Sequence, residues 1–246
     1  MRRSFTLALA ALAAAGLTAC SQANGQDEAF GQKVRAYLLE HPEVLEEAIR
    51  ALDAKRSAEA AADQTKALAA NRKALEADPR DPVVGKGPIT VVEFFDYRCG
   101  YCKSSAPEVL KLVASNKDVR FVFKEFPILP DANGRIGVSE RAARIALAAK
   151  DSGKYVDLHR DLMAQKALDD AAVTRVAQKH GLDAATLLRA GQAPAVDEHL
   201  ADTHELAQKL NIAGTPAFVI GNTVIPGADL EALRAAISDA RKKKRA

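Results

Sequence analysis

The stretch from Ile89 to Lys103, ITVVEFFDYRCGYCK, decides the fold of this chain. Residues 89 to 96 carry Val, Phe and Ile on both alternating faces. That is the pattern of a strand covered on both sides, as in a parallel sheet. From Cys99 to about Ser115 the sequence reads as a helix, so a C-x-x-C motif stands where strand hands over to helix. A thiol at a helix start meets unpaired backbone N–H groups and the positive end of the dipole, and both favour the thiolate. Cys99 is therefore the expected attacking sulfur. Cys102, one turn in, is expected to be shielded and to resolve the mixed disulfide. Arg98 and Lys103 add positive potential nearby or are plain surface charge, and Pro107 is expected to kink the helix.

Strand periodicity places Val91, Glu93 and Phe95 on one covered face, so the Glu93 carboxyl should be desolvated and its pKa raised. A buried acid six residues before the nucleophile can relay the proton of Cys102. A second strand, Val119 to Phe126, offers Lys124 as its partner; the alternative for both residues is a buried structural ion pair.

The cysteine count supports redox chemistry. Of three cysteines, Cys20 lies in a leader-like segment, leaving only Cys99 and Cys102 in the body. Closing so short a loop stabilises by roughly 2 kcal/mol, against about 4.7 for a hundred-residue loop, so the pair is a poor staple. A closed zinc site needs four ligands, and no second Cys pair or H-x-x-x-H cluster is present. Two thiolates also suit Cu(I) on grounds of softness, which stays open as an alternative. His41, His159, His180, His199 and His204 share no ligand spacing and read as surface or capping residues; no metal site and no cofactor is expected.

Toward the C-terminus, residues 139 to 210 turn helical, punctuated by Gly153, Gly181 and Gly191. After Gly214-Thr215-Pro216 come two short strands, Ala217 to Ile220 and Thr223 to Ile225, joined by a Gly221-Asn222 turn. A trans proline is awkward just before a strand, and a cis Thr215–Pro216 bond is the usual resolution. A last helix is capped by Asp229 and runs to the basic tail Arg241 to Arg245. The order is β-α-β, a helical insertion at about 135–210, then β-β-α, an α/β class.

Toward the N-terminus, Asp78-Pro79-Arg80-Asp81-Pro82 and Gly85-Lys86-Gly87-Pro88 supply turn chemistry, placing a domain boundary at residue 78. Before it, Phe30, Val34 and Leu38 recur at helical spacing, and Val44, Leu45, Ala48, Ile49 and Leu52 follow His41-Pro42. Residues 53 to 77 favour helix but hold only Leu68 and Leu75 as large apolar residues, too few to pack on a globular core. Residues 43 to 77 predict a helix on the order of 50 Å long. Such a rod reaches another chain or serves as a solvated linker. Residues 1 to 19 join Arg2 and Arg3 to a short apolar run, which reads as an export signal too short to span a bilayer. Leu17-Thr18-Ala19-Cys20 matches the pattern in which the cysteine becomes the lipid-bearing first residue of a mature lipoprotein; the alternative is an ordinary signal cut near Ala23.

Composition removes other classes. The chain has 246 residues, 48% of them apolar, which is too core-rich for disorder. Setting aside Arg2, Arg3 and the five basic tail residues, 28 positive charges face 32 negative ones, with no Trp; a nucleic-acid partner is not expected.

VVEFFDYRCGYCK, the Pro five residues after the second Cys, the helical insertion and GTPAFVIG, in that order over residues 88 to 240, resemble the DsbA family of thiol-disulfide oxidoreductases. The resemblance implies a thioredoxin fold with an inserted helical domain in residues 79–246. It implies Cys99 as nucleophile, Cys102 as resolving thiol, Glu93 as buried acid, and Thr215-Pro216 as a substrate-binding loop beside Gly100 and Tyr101. The N-terminal FGQKVRAYLLEHPEVLEEAI is similar to the extension of the ScsC subgroup, periplasmic proteins linked to copper tolerance, some of which trimerise and act as isomerases. It implies a trimer assembled through residues 24–78, the N-terminal helical oligomerisation segment being 20–78. Gly100-Tyr101 between the cysteines and Thr215 before Pro216 look like the isomerase side of the family. The implied protein is a periplasmic isomerase or reductase, lipid-anchored at Cys20, acting on cysteines of exported proteins and recharged by a membrane-embedded thiol reductase or oxidase. A general dithiol oxidase and a copper-binding chaperone are the alternatives.

Overall fold

The computed structural model describes residues 28–130, 134 and 136–245. The export signal and Cys20 lie outside the described residues. Two compact units divide between Ala61 and Ala62.

The first unit is helical. Helix α1 covers residues 28–40, and the chain turns at His41-Pro42, whose carbonyls accept from the Val44 and Leu45 N–H groups, before α2 (Glu43–Ala70) runs on. Proline close ahead of a helix start costs little, since N–H groups there have no intrahelical acceptor. Phe30, Val34, Tyr37, Leu45, Ile49 and Leu52 are all exposed. The repeat that predicts a helix is real; among the described residues most of its large apolar side chains are exposed, with Leu38 and Val44 half-buried.

The second unit is built on a five-stranded mixed sheet in the order β1-β3-β2-β4-β5. Its strands are β1 (Val83–Val84), β2 (Ile89–Phe95), β3 (Val119–Glu125), β4 (Ala217–Ile220) and β5 (Thr223–Pro226). β2 lies between parallel β3 and antiparallel β4, so both its faces are covered, as its composition requires. The sheet is therefore mixed rather than purely parallel. Gly221, with φ at +58°, turns β4 into β5 as the Gly-Asn pair predicts.

One face packs Val91, Phe95, Phe121, Phe123 and Phe218 against α4 (Gly100–Ser115), the insertion helices α5 (Gly137–Ala148), α6 (Tyr155–Met163) and α7 (Asp170–Lys179), and α10 (Leu230–Arg245). The insertion continues through α8 (Ala184–Gly191) and α9 (Pro194–Lys209). The other face packs Val92, Phe94, Val122 and Val219 against Leu206 and Leu210, and against Leu68 and Leu75.

Those last two leucines correct the sequence reading. Leu68, near the end of α2, and Leu75, in α3 (Arg72–Glu76), are fully buried, so residues 62 to 78 belong to the redox unit rather than to a rod. The helix stops at Ala70, and Asn71 donates its side-chain amide to the Ala67 carbonyl at 2.8 Å as the chain turns. Two leucines seven residues apart suffice because α3 and the turn after it are also tied by polar contacts. Arg72 donates to the Gly221 carbonyl and to Asn222 Oδ1 at 2.7 Å. Arg80 bridges Asp78 and Asp202, each at 2.7 Å.

Lys124 is also reassigned. It projects from the opposite face to Glu93, forms a buried ion pair with Asp81 and donates to the Ala74 carbonyl at 2.6 Å. His199 stands behind that pair, with Nε2 3.1 Å from Asp81 Oδ1, and is buried, as is His159. Both were expected at the surface. The helical phase explains the difference, since His159 follows Tyr155 by four residues and shares its apolar face.

A chain beginning at Ala62 should keep the cooperative unfolding of the redox unit. One beginning at Pro79 should lose most of it, because deleting Leu68 and Leu75 costs about 2–5 kcal/mol each against a total of about 5–15. Urea denaturation followed by far-UV circular dichroism distinguishes the two.

Candidate active site

The polypeptide between β2 and α4 is fixed by Asp96. Its Oδ1 accepts from the Arg98 N–H at 2.7 Å and from the Ser139 hydroxyl at 2.8 Å; its Oδ2 accepts from the Ile128 and Leu129 N–H groups at 2.8 and 2.9 Å. The Asp96 carbonyl accepts from the Cys99 N–H at 3.0 Å. A short turn is thereby bolted to the loop after β3 and to the start of α5. Arg98 adds to this, donating to the carbonyl of Pro130 at 2.6 Å.

Cys99 is the N-cap of α4, with extended backbone, and its sulfur accepts from the Cys102 N–H at 3.4 Å. When protonated it donates to the Thr215 carbonyl, 3.2 Å away. The Thr215–Pro216 peptide is cis, and the Thr215 carbonyl is the backbone group that faces the nucleophile. A hydrogen bond from the Cys102 side chain, helped by the Thr215 side chain and by the N–H groups of Cys102 and Tyr101, outweighs burial and brings the Cys99 thiol down to about 5. The same bond with Cys99, together with burial, pushes Cys102 far up. One thiol is ready to attack at neutral pH; the other keeps its proton.

Gly100 and Tyr101 lie on the outside of this turn, Tyr101 being 73% exposed and Cys102 fully buried. Lys103 turns away from the sulfur and donates to the Gln165 carbonyl at 2.6 Å, tying α4 to the end of α6. Pro107 sits inside α4. Among the described residues no group of three or more His, Cys, Asp or Glu side chains could hold a metal ion. Two facing thiols remain the one soft ligand pair.

Glu93 is buried beneath this turn, 2% exposed, and its Oε2 has no hydrogen-bond partner among the described residues. Burial alone pushes its carboxyl up to about 8, and its charge acts on Cys102. Lys124 is not its partner, for the reason of face given above.

A second polar group went unread in the sequence. Glu125 Oε1 accepts from the hydroxyls of both Tyr97 and Tyr155 at 3.0 Å, and the Tyr97 hydroxyl lies 3.2 Å from His159 Nδ1. All four side chains are buried. The signal was present, for Glu125 follows Phe123 by two residues and must share its covered face.

The lowered Cys99 pKa makes two measurable statements. Iodoacetamide should alkylate Cys99 alone, with a rate midpoint near pH 5. The folded-state pKa lies below the value of about 8.5 for a free thiol, so the reduced protein should gain stability as pH rises from about 5 to about 9, relative to Cys99→Ser. A midpoint near 8.5 would refute the assignment.

A model of the DSBA-like thioredoxin domain matches residues 90–238, more than half of the chain, and a model of the copper resistance protein ScsC N-terminal domain matches residues 26–59. Among solved structures, Salmonella enterica Typhimurium BcfH is 33% identical and superimposes with a TM-score of 0.71, covering 90% of this chain and 98% of that one. A thioredoxin-like oxidoreductase from Silicibacter pomeroyi is 43% identical, with a TM-score of 0.64, over 70% of this chain and 98% of its own. A periplasmic thioredoxin-like protein from Salmonella enterica is 31% identical, with a TM-score of 0.61, over 68% and 94%. The chain spans about a quarter of the length of the curated relatives it matches, Na(+)/H(+) antiporters NhaA of two Salinispora species, each 32% identical over 177 residues and 66% of this chain. The fold and these matches agree that the chain belongs to the DSBA-like thioredoxin-domain family, with an ScsC-type N-terminal segment.

Proposed function

We propose that the protein is a periplasmic disulfide isomerase or reductase that exchanges disulfides with cysteines of exported proteins. The observation that carries this reading is the split between the two thiols, Cys99 brought down to about 5 and Cys102 pushed far up beside it. The Cys99 thiolate attacks a client disulfide, forming a mixed disulfide and expelling a client thiolate. Cys102 then loses its proton to Glu93 and attacks the Cys99 sulfur, closing the internal disulfide and freeing the second client thiolate. The Thr215 and Pro216 backbone and the exposed Gly100 and Tyr101 hold the client chain alongside. In isomerisation, a client thiol attacks the mixed disulfide instead and Cys99 leaves reduced. A membrane-embedded thiol reductase keeps the dithiol reduced.

The first twenty residues support export, and a periplasmic relative supports the compartment. Lipidation at Cys20 is read from an acyl mass on the mature N-terminus; a chain starting at Asn24 without it is not anchored. The exposed apolar residues of the first unit support assembly, as a trimer, since each fully covered side chain stabilises by about 1.5–3 kcal/mol.

Cys102→Ser should accumulate client mixed disulfides on Cys99, whereas Cys99→Ser should capture few; non-reducing electrophoresis of periplasmic extracts reads both. Equal capture by the two variants would overturn the roles.

Assembly has its own test. The mature chain should scatter light as a trimer and repair scrambled ribonuclease, and removing residues 24–61 should give a monomer that still exchanges disulfides through Cys99 but isomerises several-fold more slowly. A monomeric mature chain, or undiminished isomerisation after truncation, would favour a general dithiol oxidase.

A further inference from the structure

Strands β2 and β3 run in parallel toward the dithiol, so their first residues mark the opposite end of the redox unit. At 3.3 Å per residue, β2 alone places that end about 20 Å from the cysteines. Three elements meet there. The turn Gly85-Lys86-Gly87 lies hard against the loop before β3, since a Cβ on Gly87 would overlap the Asp118 backbone and one on Gly85 would overlap the Val119 carbonyl. Helix α10 starts beside the cis-proline loop, where the Gly227 N–H donates to the Pro216 carbonyl at 2.8 Å, and runs about 24 Å along its axis. Its last turns are clamped to the loop before β3 by Arg241, which donates to Asp118 Oδ2 at 2.6 Å and to Asn116 Oδ1 at 2.5 Å. Lys244, one turn on, lines a hollow with Arg72, Pro88 and Gly221.

The charge left over at this end is of one sign. Its acids are already taken, Glu76 by Arg72 at 2.6 Å, Asp118 by Arg241 at 2.6 Å and Asp239 by Lys242 at 2.9 Å. Lys86, Lys117, Lys243 and Lys244 are exposed and, among the described residues, form no ion pair. Arg245 follows them in sequence. The Arg241 clamp and the close approach of the glycine turn thus gather uncompensated lysines from three separate elements onto one end. A lysine is a compact charge on a flexible stem, without the rigid fork that reads one shaped anion. Several of them together suit a surface of many mobile anionic headgroups.

We infer that this end of the redox unit is a docking surface for an anionic phospholipid bilayer, and that docking holds the protein with Cys99 turned away from the lipid. Basic residues near a negative bilayer are attracted within a Debye length, about 10 Å at 0.1 M salt. The dithiol lies beyond that reach. Attachment therefore sets where exchange takes place and leaves its rate alone. An acyl chain on Cys20 would tether the protein without choosing a face, whereas the lysines choose one. The inference concerns attachment and is independent of whether the dithiol isomerises, reduces or oxidises its clients.

The chain from Ser21 onward, made without an acyl group, is sedimented with vesicles of phosphatidylglycerol and phosphatidylcholine in equal parts, and with phosphatidylcholine alone. It should bind the mixed vesicles, ignore the neutral ones and come off at high salt. Lys243→Gln with Lys244→Gln should weaken binding about twenty-fivefold, at about fivefold per lysine near the surface, and Lys86→Gln with Lys117→Gln should do so to a similar extent. The two pairs are made separately, so either carries the test if the other fails to fold. Lys154→Gln with Lys166→Gln removes the same charge from exposed sites in the helical insertion and should bind as the unaltered protein does. All variants should reduce 5,5′-dithiobis(2-nitrobenzoate) at the unaltered rate. Iodoacetamide should alkylate Cys99 equally fast on bound and free protein. Equal weakening by the insertion pair would reduce the effect to overall charge and overturn the inference. So would a failure to bind the mixed vesicles, or equal binding to phosphatidylcholine, which would assign attachment to apolar residues. Protection of Cys99 by the vesicles would overturn the orientation and with it the inference.

Discussion

The carboxylate of Asp96 accepts from four donors, and the rest of the site hangs on that arrangement. β2 ends at Phe95 and α4 begins at Gly100, so four residues must leave a doubly covered strand and enter a helix with Cys99 at its cap. Such a turn has no ladder or helix bonds of its own. Asp96 supplies fixed acceptors instead, to its own turn through the Arg98 N–H, to the loop after β3 through two N–H groups, and to α5 through Ser139. An aspartate does what an asparagine cannot, since both its oxygens accept. The lowered pKa of Cys99 follows from this placement, because the Cys102 side chain first, and then the Cys102 N–H, reach the sulfur while Cys99 stays at the cap.

The sheet separates buried charges that are paired from buried acids that are not. On the face packed by α9 and α3, Lys124 pairs with Asp81, with His199 and Asp78 close by and Arg80 bridging to Asp202. Charges there are compensated, and their effect is to tie residues 78–84 and α9 to the strands. On the face packed by α4 and α6, among the described residues, Glu125 is bonded by tyrosine hydroxyls and Glu93 Oε2 has no hydrogen-bond partner. Removing one partner of a buried ion pair is costly, so the first face is a structural lock. An acid without a partner holds its proton to higher pH, which makes it a titratable group rather than a lock.

Much of this was legible in the sequence because the decisive signals are local. The alternation in ITVVEFF, the spacing of Cys99 and Cys102, the Gly221-Asn222 turn and the Thr215-Pro216 step each specify geometry over a few residues. What was hidden depends on which element covers which face. Leu68 and Leu75 look too sparse to anchor a helix until the sheet face that receives them is known. Lys124 and Glu93 look like a pair because both are buried acid and base, yet their register, Lys124 opposite Phe94 and Glu93 opposite Phe123, sends them to opposite faces. His159 and Glu125 could have been found by continuing the periodicity already used for Phe123 and Tyr155, whereas Asp96 could not, since its partners are loop amides thirty residues away.

Glu93 is expensive to keep. Its carboxyl lies at about 8 in the folded chain and near 4.5 in the unfolded one, so the folded state binds the extra proton between those values and stability falls as pH rises through that window. At pH 7 the difference amounts to about 3 kcal/mol, a large share of the net stability of an ordinary domain. A glutamine of nearly the same shape would escape that penalty and could use its amide to bond the turn above. The acid thus sits at a cost to stability on the face that packs α4, close enough for its charge to act on Cys102.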